Sequence, residues 1–384
     1  MSDVVLFEKL PLGQDALNES KFIGQVTLNV ESTLNSLSLQ MIELLTEQLT
    51  KWREDDSILA LFFQGAGSKA FCAGGDIQAL YHAMVGQPGE PVPYAESFFE
   101  QEYRLDYLIH TYPKPTIAWA HGIVMGGGLG IMGACDYRIG TQRTRIALPE
   151  ITIGLFPDAG ASWFFSKMEL HWAHFLAWTG CSINARDAQL VGLVNHLLQH
   201  DQKDEFVREL QSADWFAEFE GIDGQGVIAD VILKLEAPSA GFPPSKLLEH
   251  ENLIEGMMSD CLANENPVAA FVKALPKLEG DTWLEKAASS FSRGTPTTAQ
   301  IIERQFRLTR NISLKEMLKI ELIIAVQCAR HPDFTEGVRA LLIEKDNKPL
   351  WQYNEMGKVP ESWIDEHFSA PWDRHPLDDL PELG

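Results

Sequence analysis

Glu150 follows Pro149 at the end of an apolar run, 146–148, and Asp158 follows Pro157 inside the glycine-bounded loop GLFPDAG. A carboxyl group set among apolar residues is shifted toward the range in which a side chain exchanges protons near neutrality, so this pair suits general acid/base work or activation of water. Plain structure can use the same residues, Glu150 as the cap of a helix or loop and Asp158 as an Asx turn. The decision rests on their surroundings.

Those surroundings hold two glycine turns. Residues 116–119 form a short apolar strand with Pro115 before it; the chain turns at His121 and Gly122 and reaches Gly126, Gly127 and Gly128, after which Leu129, Ile131 and Met132 open a buried helix. Upstream, KAFCAGGDIQAL (69–80) repeats the form: Gly74 and Gly75 precede Asp76, a suitable N-cap, and an apolar helix starts at Ile77. Glycine lets backbone amides approach a ligand, and a helix N-terminus presents unpaired N–H groups. One such turn is equally well explained by tight packing or an ordinary capped turn. Two that follow neighbouring parallel strands can each aim an amide at one carbonyl oxygen, and loss of one such donor costs about 2.7–4 kcal/mol of transition-state stabilisation.

A formal GxGxxG, Gly128–Gly130–Gly133, with Glu150 downstream raises a dinucleotide site as an alternative. The chain is strand-like again at Tyr137, Arg138 and Ile139, which leaves too little room for a crossover helix, and the match is read as coincidental.

The 384 residues are 45% hydrophobic and 10% aromatic, enough for a large core with a second lobe or for two domains. A net charge of −23 argues against nucleic acid or an anionic membrane as partner, although acidity also serves solubility. An anionic ligand would need local amides and a few placed cations. The five cysteines are scattered and contain no CxxC, so neither disulfides nor zinc are indicated. His171 and His174 form an HxxH without the glutamate of HExxH or a third ligand, and no metal is expected. No apolar run reaches 18 residues and the first residues lack a basic, apolar leader pattern; a cytoplasmic protein is expected.

Around these motifs the pattern reads strand (22–30), amphipathic helix (37–52) and strand (58–63), an α/β beginning. Residues 86–93 form a Gly/Pro break expected to be mobile, and 94–112 a helix on which Glu100 and Glu102, two apart, are most simply solvated. Residues 185–200 read helix then strand. Beyond them the chain is mainly helical, interrupted at 237–244, with long amphipathic runs over 268–345. The domains expected are a core over 15–200, a helical lobe over 201–365 and a loosely packed tail over 366–384.

KAFCAGGDI, HGIVMGGGLGI, LPEITIGLFPDAGAS and DFTEGVRALLIEKDNKPLW (333–351), in this order, resemble the crotonase (enoyl-CoA hydratase/isomerase) superfamily and, within it, the 3-hydroxyisobutyryl-CoA hydrolase subfamily. The resemblance covers roughly residues 20–355. It implies a crotonase-like spiral of ββα turns and a CoA thioester substrate, with an oxyanion hole from the amides of Gly75 and Gly127. It places the catalytic carboxylate at Glu150, a second acid near the substrate hydroxyl at Asp158, a further substrate contact at Glu102, and CoA contacts at Lys69 and Ala73. Hydratases of the superfamily carry a glutamate where this chain has Gly130, which the hydrolase pattern also has. The expected activity is hydrolysis of a small β-hydroxyacyl-CoA, 3-hydroxyisobutyryl-CoA by resemblance, as in valine degradation. No cofactor is expected beyond the CoA of the substrate, and a homo-oligomer is compatible with the resemblance. An isomerase using Glu150 alone, or an idle CoA-binding protein, are the alternatives; no GxSxG elbow supports a serine hydrolase.

Overall fold

The computed structural model describes residues 3–15, 18–216, 224–236 and 241–382. Among the described residues ten strands run in chain order: β1 Val5–Gln14, β2 Ser20–Leu28, β3 Ile58–Gly65, β4 Ala70–Cys72, β5 Thr116–Ala120, β6 Ile123–Met125, β7 Tyr137–Gly140, β8 Arg145–Ala147, β9 Ile183–Asn184 and β10 His196–Leu197. They form a six-stranded sheet, β1-β2-β3-β5-β7-β10, and a four-stranded sheet, β4-β6-β8-β9.

The two orders expose a repeat that no sequence period reveals. β3, β5 and β7 enter the large sheet, and the next strand in each case, β4, β6 and β8, enters the small one. A helical element follows each pair: α2 Ile77–Met84 and α4 Gly127–Ala134, and in third place the single turn Glu150–Thr152. The expected ββα spiral is present. All pairings in the large sheet are parallel except β1 with β2, and parallel strands covered on both faces read as unbroken apolar runs. β1 went unanticipated because its run, VLFEKLPLGQ, carries charges, a proline and a register shift at Pro11/Gly13, features of an edge strand.

The helix between β2 and β3, α1 Leu39–Arg53, is capped by Ser38, which accepts from the Met41 amide, and buries Met41, Ile42, Leu45, Leu49 and Trp52 on one face. The long helix α3 Pro93–His110 precedes β5.

The chain divides into two interleaved compact units, not at residue 200 as expected. The first contains 1–75, 105–146 and 184–245; the second contains 76–104, 147–183 and 246–384. Helices Lys203–Ser212 and Gly224–Leu235, assigned from sequence to a helical lobe, instead place Phe206, Leu210, Ile228 and Ile232 in the same cluster as Ile23, Phe62 and Trp119 of the large sheet. In the second unit Trp178, Phe271 and Phe291 pack ring on ring, and the Trp178 indole donates to the Ala299 carbonyl at 3.1 Å.

The tail also differs from expectation. Leu377 is fully buried, Arg104 binds Asp379 and the Pro376 carbonyl, and Lys319 and Lys315 pair with Asp378 and Glu382. The break at 86–93 is pinned where the Gly89 amide donates to the Arg330 carbonyl at 2.8 Å. Residues 237–240 of the 237–244 interruption and 383–384 of the tail lie outside the described residues. Among the described residues no helix is long and apolar enough to cross a membrane.

One close approach locks α4 to β4: a Cβ on Gly128 would lie 2.4 Å from the Cys72 carbonyl oxygen. Gly128→Ala should therefore lose about 2 kcal/mol or more in urea unfolding. Gly256→Ala, in the helix Glu251–Leu262 where an added Cβ meets nothing, should gain up to about 1 kcal/mol. Equal midpoints for the two variants would show that the Gly128 contact yields.

Candidate active site

In the first unit, β4 and β6 pair in parallel, Ala70 with Ile123 and Cys72 with Val124, so both leave the small sheet on one side. β4 runs on to Gly74 and Gly75, and β6 to Gly126 and Gly127. A Cβ on Gly74 would lie 3.2 Å from the Met125 carbonyl oxygen and 3.6 Å from Gly126 Cα, so the turns touch backbone to backbone. Gly74 and Gly126 have φ of +101° and +47°, conformations that disfavour any side chain. Gly127 is the first residue of α4, so its amide is among those with no partner inside the helix. Two strand-following turns thus meet as inferred, through the small sheet, whose β4 and β6 sequence reading left unassigned.

Asp76 accepts from the Ala79 amide at 3.1 Å and serves α2 as its cap. Lys69 is exposed, and Ala73 is half-buried with its amide on the Leu34 carbonyl.

The second unit gathers the carboxylates. Glu150 is 4% exposed, opens the turn Glu150–Thr152, and has one buried oxygen, Oε2, with no hydrogen-bond partner. Asp158 is buried and accepts from the Tyr103 hydroxyl at 2.7 Å. Glu100 is paired with Arg104 one turn away at 3.0 Å, but Glu102, read from its spacing as solvated, is 3% exposed with Oε1 unpartnered. The spacing rule separates the two glutamates without saying which one faces water.

Burial raises Glu102, Glu150, Asp158 and Glu321. It pushes Glu102 and Glu150 well above the usual carboxylate range, with the Asp158 charge as the second cause. Asp158 rises to about 6, again by burial, against the opposing pull of the Tyr103 hydroxyl. Glu321 rises to about 7 by burial, opposed by its bonds to Ser162 and Gly160.

Sequence reasoning missed the supporting residues. Glu321 and Gln305 bind the 157–162 loop, and Asp333 accepts from Thr295 Oγ1 (3.0 Å), Thr297 Oγ1 (2.7 Å) and the Gln352 amide (2.7 Å). The backbone of the segment bearing Glu150 is clasped by the distal motif: Cβ atoms on Gly154 and Gly337 would each lie 2.4 Å from backbone atoms of Asp333 and Ile153. The available signal was a lone acid in the apolar run 320–326 of the helix Leu314–Arg330. Lone buried acids mark either a partner or a site.

His174 of the HxxH pair bonds the Leu170 carbonyl one turn back. Among the described residues the three-residue cluster with metal-ligand proximity is Glu249, His250 and Asp281, where Lys246 already binds Glu249 at 2.7 Å and Asp281 caps a helix.

The enoyl-CoA hydratase/isomerase family model matches residues 23–368. The mitochondrial 3-hydroxyisobutyryl-CoA hydrolase of Danio rerio is 34% identical over 90% of this chain and 87% of its own, and that of Homo sapiens 31% over 90% and 86%. A carnitinyl-CoA dehydratase from Mycobacterium thermoresistibile superposes with a TM-score of 0.81 at 29% identity, covering 98% of both chains. An enoyl-CoA hydratase from Rhodobacter sphaeroides shares the fold at a TM-score of 0.79 and 23% identity, covering 96% of this chain and 98% of its own. The chain belongs to the enoyl-CoA hydratase/isomerase family.

Proposed function

We propose that the protein hydrolyses a small β-hydroxyacyl-CoA thioester, 3-hydroxyisobutyryl-CoA, to the free acid and CoA, a reaction that would serve valine degradation. The observation that carries this reading is Glu150, a buried carboxyl whose Oε2 has no hydrogen-bond partner. The thioester carbonyl oxygen takes the amides of Gly75 and Gly127, which stabilise the charge that develops on it. Glu150 either attacks the carbonyl carbon, forming an anhydride that water then opens, or removes a proton from the attacking water; thiolate leaves in both routes.

Asp158 and Glu102 orient the β-hydroxyl, and Lys69 with Ala73 meets the CoA nucleotide. No metal or further cofactor takes part. Hydration is the second reading, favoured by the family, but Gly130 lies fully buried in α4 and offers no carboxylate to hold a second water. A cytoplasmic location belongs to this proposal, as does a homo-oligomer; the relatives named above are mitochondrial proteins.

Glu150→Gln keeps the shape and loses both base and nucleophile, so release of free thiol should fall by about 10²-fold or more while CoA thioester binding persists. Asp158→Asn should lose more activity on a β-hydroxyacyl-CoA than on the matching acyl-CoA without the hydroxyl; equal losses would remove Asp158 from hydroxyl recognition. Because the reacting carboxylate must be ionised and burial raises it, kcat/KM should fall as the pH drops through a limb well above the ordinary 4.5 of glutamate. A limb at or below that value would show that Glu150 meets water freely. Efficient hydration of crotonyl-CoA with negligible thiol release would return the protein to the hydratases.

A further inference from the structure

Within the second unit, the loop that carries Asp158 has an unusual backbone. Ala159 and Gly160 follow one another with φ of +53° and +80°. A left-handed alanine is strained and persists only where the surroundings fix it. Here they do. Glu321, fully buried, accepts from the Gly160 amide at 2.8 Å with one oxygen and from the Ser162 amide at 2.9 Å with the other. Gln305, also fully buried, donates to the Pro157 carbonyl at 3.0 Å and to Ser162 Oγ at 2.7 Å. The loop is thereby held on both sides of Asp158 by residues about 150 positions later in the chain.

The helix Ala161–Ser166, which begins in this loop, has Gly160 as its N-cap residue and so no side-chain cap of its own. Glu321 supplies from another helix the acceptor that a Ser or Asp would supply locally, and at full burial such charge-assisted bonds are stronger than neutral ones.

We infer that Glu321, assisted by Gln305, is a positioning residue for Asp158: by fixing the 157–162 backbone it turns the Asp158 carboxylate onto the Tyr103 hydroxyl and so into the orientation that recognises the substrate β-hydroxyl. This rests on the assignment of Asp158 made above. The titratable groups around Asp158 are Glu102 and Tyr103 on α3, Glu150 on its turn, and Glu321 and Cys328 on the helix Leu314–Arg330.

The test uses the full-length protein and three variants outside the proposed chemistry, each assayed across pH on a β-hydroxyacyl-CoA and its deoxy analogue, with melting temperatures alongside. Glu321→Gln keeps one acceptor and points an amino group at the other amide; kcat on the hydroxylated substrate should fall about tenfold with KM within about twofold, and the preference for the hydroxyl should shrink. Gln305→Met should move both in the same direction by less. Tyr103→Phe removes only the donor that favours the carboxylate, so the pH at which the preference for the hydroxyl sets in should move upward. If Glu321→Gln does not fold, the other two variants decide. Unchanged preference and an unchanged pH of onset in all soluble variants, beside a lost preference in Asp158→Asn, would leave Glu321 structural and overturn the inference. Unchanged preference in Asp158→Asn itself would instead overturn the assignment of Asp158, and the inference with it.

Discussion

Desolvation of carboxyl groups governs the second unit. Glu102, Glu150, Asp158 and Glu321 are each removed from water, and burial is the largest cause of every shift among them. An isolated buried carboxylate is costly enough that a group usually takes up a proton instead, so these acids persist only with donors around them or with a substrate to meet. Asp158 has Tyr103 and Glu321 has two amides, whereas Glu102 and Glu150 each keep a buried oxygen without a protein donor.

Burial acts in opposite senses on folding and on reactivity. A carboxyl whose folded pKa is raised binds its proton more tightly folded than unfolded. Its stabilising contribution is full below the unfolded value, 3.8 for Asp158 and 4.5 for Glu321, and is lost as pH rises through about 6 and about 7. The ionised form of Asp158, which the proposed recognition of the β-hydroxyl needs, gains population over the first of these intervals. Stability is given up where function is gained, a trade common at active sites.

Much of this was legible in the sequence where local chemistry decides. The glycine turns declared themselves because only glycine fits a φ of +101° beside another backbone, and Glu150 and Asp158 because each follows a proline at the end of an apolar run. The ββα repeat was not readable directly, since strands of three residues such as β4 and β6 carry too little pattern to separate from loop. It came from the ordered motifs instead. Glu321 and Asp333 stayed hidden for another reason: their partners lie 159 to 161 and 19 to 38 positions away, and no short window along the chain pairs them. The interleaved units escaped for the same cause, because segments 76–104 and 147–183 pack with helices made much later.

Arg104 follows Tyr103 on α3, and its guanidinium grips both Asp379 and the Pro376 carbonyl. The last turn of the chain is therefore fastened one residue from the hydroxyl that holds Asp158. For protein engineering this makes the C-terminal end a poor place for an affinity handle or a fusion partner. Load applied beyond residue 380 meets the helix bearing Glu102 and Tyr103 through Arg104.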